Sequence, residues 1–270
     1  DKKSLQLARR LRREHPDSAL ILAGCLAQRK PEDLLETGAR LVIGTQHRGE
    51  VVELLEKALR ENTSINAVNE LNATTPFEPL TITSQEEHTR ATLKIQEGCN
   101  NHCTYCIIPF ARGPVRSLPL DQAVAQTRQL QAEGYRELVF TGIEISSWGQ
   151  DLRNGTGLID LMEAVAAAAP RLRLRLGSLE PRTITEDFCR RASKLPNLCP
   201  HFHLSLQSGC DATLHRMNRR YDTARFRQSV DLLRRYFDHP AITTDVICGF
   251  PQETEEEFSA TLAFLAECRF

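Results

Sequence analysis

No apolar run in this chain of 270 residues approaches the ~20 residues that a membrane-crossing helix needs. No secretion signal is present either. A cytoplasmic protein with no membrane partner is therefore expected. An excess of one charge is also lacking: 34 Lys and Arg face 35 Asp and Glu, a net charge of −1. That balance neither supports nor excludes a nucleic-acid partner. The charge is patchy, with clusters at Arg9, Arg10, Arg12 and Arg13 and at Arg216, Arg219 and Arg220, and most such runs are solvated helix faces. An initiator Met is absent, since the chain starts at Asp1, inside an amphipathic pattern, and its last residues also stop inside a helical pattern. A fragment lacking both termini is expected, and a monomer.

Nine cysteines are present. An odd count in a large chain without a secretion signal argues against a disulfide framework and for metal binding or burial. Cys189, Cys210, Cys248 and Cys268 have no mutual spacing and read as small buried hydrophobes.

Along the chain, a helix over 2–14 leads to apolar runs at 18–24 and 39–44, which read as buried strands. A short helix at 31–36 lies between them and another at 47–62 follows, with apolar positions at 51, 52, 54, 55 and 58. This order implies a parallel α/β layer over residues 1–61. Residues 62–90 are rich in Asn, Thr and Pro with no helical period, and read as a linker. From 91 to 270 five strand–helix units follow in regular alternation. The expected fold is α/β, a barrel or part-barrel of parallel strands in which ligands sit at the C-terminal strand ends.

The first of these strands runs into Cys99, Cys103 and Cys106, a C-x3-C-x2-C spacing. Thiolates favour zinc or iron–sulfur centres. A structural zinc site asks for four ligands, and only His102, on the tight loop itself, offers a fourth nearby. A four-iron cluster on three cysteines leaves one iron open.

This loop, followed by repeating strand–helix units, resembles the radical S-adenosylmethionine superfamily. The segment KIQEGCNNHCTYCIIPFARGPVRS (94–117) is similar to its methylthiotransferase branch, as are SLEP (178–181), LSLQSG (204–209), MNRRY (217–221) and TDVICGFPQETEEEF (244–258). GCLAQ (24–28) resembles a motif of that branch's N-terminal domain, and TGIEISSWGQDL (141–152) resembles the threonylcarbamoyladenosine tRNA methylthiotransferases. Gln252 stands where the branch commonly has Gly, so a left-handed backbone or an altered turn is expected there.

The resemblance implies a partial TIM-like barrel of the radical type over 91–270, C-terminally truncated, after a truncated methylthiotransferase N-terminal domain over 1–61. It implies that Cys99, Cys103 and Cys106 are catalytic and bind a [4Fe-4S] cluster, and that S-adenosylmethionine is cleaved there to a radical. Cys25 would ligate an auxiliary cluster, incomplete in this chain. Tyr105, Gly142, Glu180, Gln207 and Arg219 are the residues expected to touch S-adenosylmethionine, with Arg219 or Arg220 suited to its carboxylate. Ser146, Ser147 and Trp148 are candidates for a nucleoside pocket, with Trp148 stacking on a base. His201 and His203 alternate on a strand and read as surface residues. The implied reaction puts a methylthio group on C2 of threonylcarbamoyladenosine in tRNA near the anticodon. tRNA, an electron donor and a sulfur donor are the implied partners. Isopentenyladenosine tRNA or a ribosomal-protein aspartate is the alternative substrate. A non-catalytic iron–sulfur electron-transfer or RNA-binding module is the alternative from another class.

Overall fold

The computed structural model describes residues 1–79 and 89–270. The chain divides into two compact units, Asp1–Leu80 with Ile107–Pro114, and Thr81–Cys106 with Val115–Phe270.

The first unit contains α1 (Lys2–Glu14), β1 (Ile21–Ala23), α2 (Cys25–Arg29), α3 (Pro31–Leu35), β2 (Leu41–Ile43), α4 (Val51–Arg60), β3 (Ile65–Asn66) and α5 (Ile108–Arg112). Its strands form a parallel sheet in the order β1-β2-β3. Ala27, Leu34, Ala39 and Val42 form a buried core against Leu5, Leu20, Leu22, Leu26, Leu35 and Val68. One expectation needs correction. The stretch read as linker supplies β3, a two-residue strand too short to show a period, paired with Leu41 and Val42. Of the apolar positions in α4, Ala58 is buried but Val52 is 64 % exposed.

The second unit runs β4 (Arg90–Glu97), β5 (Arg116–Ser117), α6 (Leu120–Ala132), β6 (Glu137–Gly142), α7 (Leu158–Ala168), β7 (Arg173–Leu176) and β8 (Ser178–Leu179). It continues with α8 (Glu186–Ala192), β9 (His201–Leu204), α9 (Asp211–Arg216), α10 (Thr223–Tyr236), β10 (Ala241–Thr243) and α11 (Glu255–Cys268). Each parallel strand lies beside its predecessor, β4-β6-β7 and then β8-β9-β10, with β5 antiparallel on the outer edge of β4. The result is a curled half-barrel. Gly177 separates β7 from β8, and a Cβ there would lie 2.9 Å from the Phe140 carbonyl oxygen.

Period-two alternation sorts the strand faces. Leu93, Ile95, Leu138, Phe140, Leu174, Leu176, Phe202 and Leu204 are buried on one face. The opposite face is polar. Arg175 Nε donates to Glu137 at 2.7 Å, and His203 Nδ1 lies 3.0 Å from Thr243 Oγ1. Local signals set the helix ends: Thr185, Asp222 and Thr254 cap α8, α10 and α11 through their side chains. Gly134, at φ 94°, follows the last turn of α6. Cys189 and Cys268 are buried as expected and Cys210 is half-buried, but Cys248 is exposed in the loop after β10.

Candidate active site at the cysteine loop

Most chemistry-bearing motifs of the second unit lie at the C-terminal ends of its strands, while MNRRY follows α9. β4 ends at Glu97, Gly98 turns the chain at φ 76°, and the loop Cys99–Cys106 begins. The loop has almost no internal structure, so its shape comes from a distant segment. The Thr104 N–H donates to the Met217 carbonyl at 3.2 Å, Thr104 Oγ1 to Arg216 O at 3.0 Å, and Asn218 Nδ2 to His102 O at 3.0 Å. The Arg220 guanidinium donates to Asn100 O at 3.2 Å.

Cys103 is buried, while Cys99 and Cys106 are half-buried, and none is in a disulfide. Burial pushes the Cys99 thiol up, helped by Glu144, Cys103 and Cys106, while a backbone hydrogen bond at Asn101 opposes. The three thiols therefore share one small region. Among the described residues, no three His, Cys, Asp or Glu side chains converge on a single metal-ion position. A mononuclear zinc site asks its ligands to converge on one ion; a four-iron cluster does not, because each thiolate binds a different iron. Arg219 Nη1 donates to Cys103 Sγ at 3.2 Å, a hydrogen bond that a thiolate accepts. Tyr105 is 41 % exposed and meets Phe250 edge-on at 6.4 Å.

Beside the loop lies a cleft of about 290 Å³ whose lining includes Asn100, Glu144, Ser146, Glu180, Arg182 and Arg220. Glu180 is held in a fork by Arg182 Nε and Nη2, both at 2.8 Å. Its own N–H donates to Ser146 Oγ at 2.9 Å. The sequence reading missed Glu144. Burial raises its carboxyl to about 7, reinforced by the charge of Glu180 and opposed by hydrogen bonds with Ser146 and Ser147. Its Oε1 is buried without a hydrogen-bond partner. A carboxylate two residues past the terminal Gly of a strand was the available signal.

Gln96, fully buried, joins the two loops. Its Nε2 donates to Glu97 O at 2.9 Å and Gly98 O at 2.7 Å, and its Oε1 accepts from the Glu144 N–H at 2.8 Å. Gly142 lies against it, and a Cβ there would stand 2.8 Å from Gln96 O. Gly142 therefore serves a close backbone approach. Gln207 takes φ 69°, its N–H donates to Asp245 O at 3.0 Å, and its carbonyl accepts from the Ile247 N–H at 2.9 Å. It ties the ends of β9 and β10 together.

One expectation changes. Trp148 is 1 % exposed and its Nε1 donates to Leu118 O at 2.9 Å, so it is a core side chain and has no free face for a base. Arg219 donates from Nη1 to Cys103 Sγ and from Nε to the Tyr221 hydroxyl, the latter at 3.1 Å. In the first unit, Cys25 opens α2 after Gly24, which sits at φ 107°, and its Sγ accepts from Arg112 Nε at 3.2 Å.

The Radical SAM superfamily model matches residues 93–265. The chain belongs to the Radical SAM superfamily. Its cofactors are a [4Fe-4S] cluster and S-adenosylmethionine, and the cysteine loop fits the first. The chain is 37 % identical over its whole length to the threonylcarbamoyladenosine tRNA methylthiotransferase MtaB of Bacillus subtilis (strain 168), covering 60 % of it. It is 32 % identical to the MtaB protein of Thermotoga maritima, covering 61 % of that protein and 100 % of this chain. A tRNA-2-methylthio-N(6)-dimethylallyladenosine synthase of Syntrophobacter fumaroxidans is 34 % identical over 97 % of this chain and 58 % of its own length. This Radical SAM chain thus spans about 60 % of these relatives. Among solved structures, the radical S-adenosylmethionine methyltransferase TsrM from Kitasatospora setae superposes with a TM-score of 0.73 at 15 % identity, over 98 % of this chain and 58 % of that one. That likeness concerns the fold alone. No helix among the described residues is long and apolar enough to cross a membrane.

Proposed function

We propose that this chain carries the radical-generating core of a tRNA methylthiotransferase whose substrate is threonylcarbamoyladenosine, modified at C2. The observation that carries the reading is the loop of Cys99, Cys103 and Cys106 at the end of β4, together with TGIEISSWGQDL, which begins at the end of β6. The MtaB names of the first relatives support the substrate.

When bound, the cluster and S-adenosylmethionine supply a carbon radical that abstracts hydrogen. The chain's own residues would do the rest. Cys99, Cys103 and Cys106 would hold the cluster. Gly142 and Gln96 keep the β4 and β6 loops in register. Glu180, fixed by Arg182, and Gln207 stand at strand ends where they can hydrogen-bond S-adenosylmethionine. Tyr105 presents an exposed ring to the adenine. Cys25 would contribute to an auxiliary cluster that takes part in sulfur delivery. A monomer, a tRNA partner, an electron donor and a sulfur donor belong to the same proposal.

The test is anaerobic reconstitution of the full-length gene product with S-adenosylmethionine, a low-potential reductant, a sulfur source and tRNA bearing threonylcarbamoyladenosine. Mass spectrometry of the digested tRNA should show the methylthio product. If 5′-deoxyadenosine forms but the product does not, the substrate assignment fails. The Syntrophobacter relative favours a second reading, dimethylallyladenosine tRNA, and that tRNA in the same assay decides between them.

A further inference from the structure

Arg219 has an unusual place among the partly buried arginines of the second unit. Arg175, Arg191 and Arg216 each rest on a carboxylate, and Arg225 donates to the carbonyls of Arg182 and Ile184. Among the described residues, no carboxylate lies within ion-pair distance of Arg219. Its guanidinium stacks on Tyr221, 4.8 Å from the ring centroid, and its Nε donates to the Tyr221 hydroxyl at 3.1 Å. Its Nη1 donates to Cys103 Sγ at 3.2 Å. Tyr221 is itself held, its hydroxyl on the carbonyls of Ser205 and Leu206, the latter at 2.7 Å. A cation withdrawn from water needs an anion beside it. A phenol and a thiol do not supply one. A thiolate bound to iron does.

We propose that Arg219 sets the reduction potential of the [4Fe-4S] cluster by donating to the sulfur of its ligand Cys103. The inference rests on the cluster site, not on the choice of tRNA. In the step concerned, one electron passes from an external low-potential one-electron donor to the oxidised cluster. No bond forms or breaks, the donor is oxidised, and the cluster with its three thiolates gains one negative charge. A fixed positive charge and an N–H···S hydrogen bond stabilise the form with the added charge, so they raise the potential. The locked ring of Tyr221 keeps the guanidinium in place in both states.

The experiment is a redox titration of the anaerobically reconstituted protein without S-adenosylmethionine, followed by electron paramagnetic resonance. Arg219→Gln should weaken electron uptake at least tenfold, which is about 59 mV lower for a one-electron couple. Arg219→Lys, which keeps the charge but not the fork, should fall between the two. S-adenosylmethionine binding is measured separately by calorimetry. An unchanged potential with weakened binding overturns the proposal and assigns Arg219 to the methionine carboxylate. If Arg219→Gln holds no iron, Arg219→Lys decides, and a potential equal to that of the parent overturns it. If the parent protein takes up no iron, the cluster reading itself has failed, and that outcome is distinct.

Discussion

Gln96→Met should destabilise the second unit by about 3 kcal/mol. The replacement keeps the length of the side chain but removes both halves of the amide. The buried Glu144 N–H then loses its acceptor, and the carbonyls of Glu97 and Gly98 each lose a donor. A buried donor left unsatisfied costs roughly 1–3 kcal/mol, and each further hydrogen bond lost about 1 kcal/mol. The greater apolarity of Met offsets a part of this. Urea unfolding followed by fluorescence is the assay. With a slope of about 1–3 kcal/mol per molar urea, the midpoint should fall by about 1 M or more. Because Gln96 also shapes the turn into Cys99, iron uptake on reconstitution should fall as well. A midpoint shift equivalent to less than ~1 kcal/mol with full iron content would refute the claim that this amide organises both loops.

Other perturbations test other parts of the site. The Glu144 carboxyl is raised from its ordinary 4.5 to about 7, so the folded protein holds this proton more tightly than the unfolded chain. Stability from this group is full below about 4.5, is lost as pH rises through 7, and is level above, a span of roughly 3 kcal/mol. Glu144→Gln should flatten that slope in thermal melts of the cluster-free protein, and at pH 8 should melt higher than the parent. Trp148→Ala should cost about 3–5 kcal/mol in urea unfolding, whereas an exposed stacking residue would cost little. Gln252 occupies φ 68°, so Gln252→Gly should raise stability slightly, by up to about 1 kcal/mol; a clear loss of melting temperature would contradict the left-handed strain.

The parts of this protein that were legible in its sequence are those governed by local chemistry. Cys99, Cys103 and Cys106 lie within eight consecutive residues, so their shared loop follows from chain length alone. The alternation of strands and helices is written in hydrophobic period and in caps such as Thr254 and Gly134. Gln252 in a position suited to Gly signals a left-handed backbone, and φ there is 68°. What the sequence left open depends on neighbours far along the chain. β3 is two residues long and exists because β2 offers it an edge. Trp148 could have faced a ligand or the core; the carbonyl of Leu118, thirty residues earlier, receives its indole N–H. Glu144 acquires its raised proton affinity only from burial beside Glu180. Arg219, one of three clustered arginines, meets Cys103 across 116 positions of chain. Local pattern selects the element and its face. Which polar group loses its water, and what it meets in exchange, is decided only when distant segments pack.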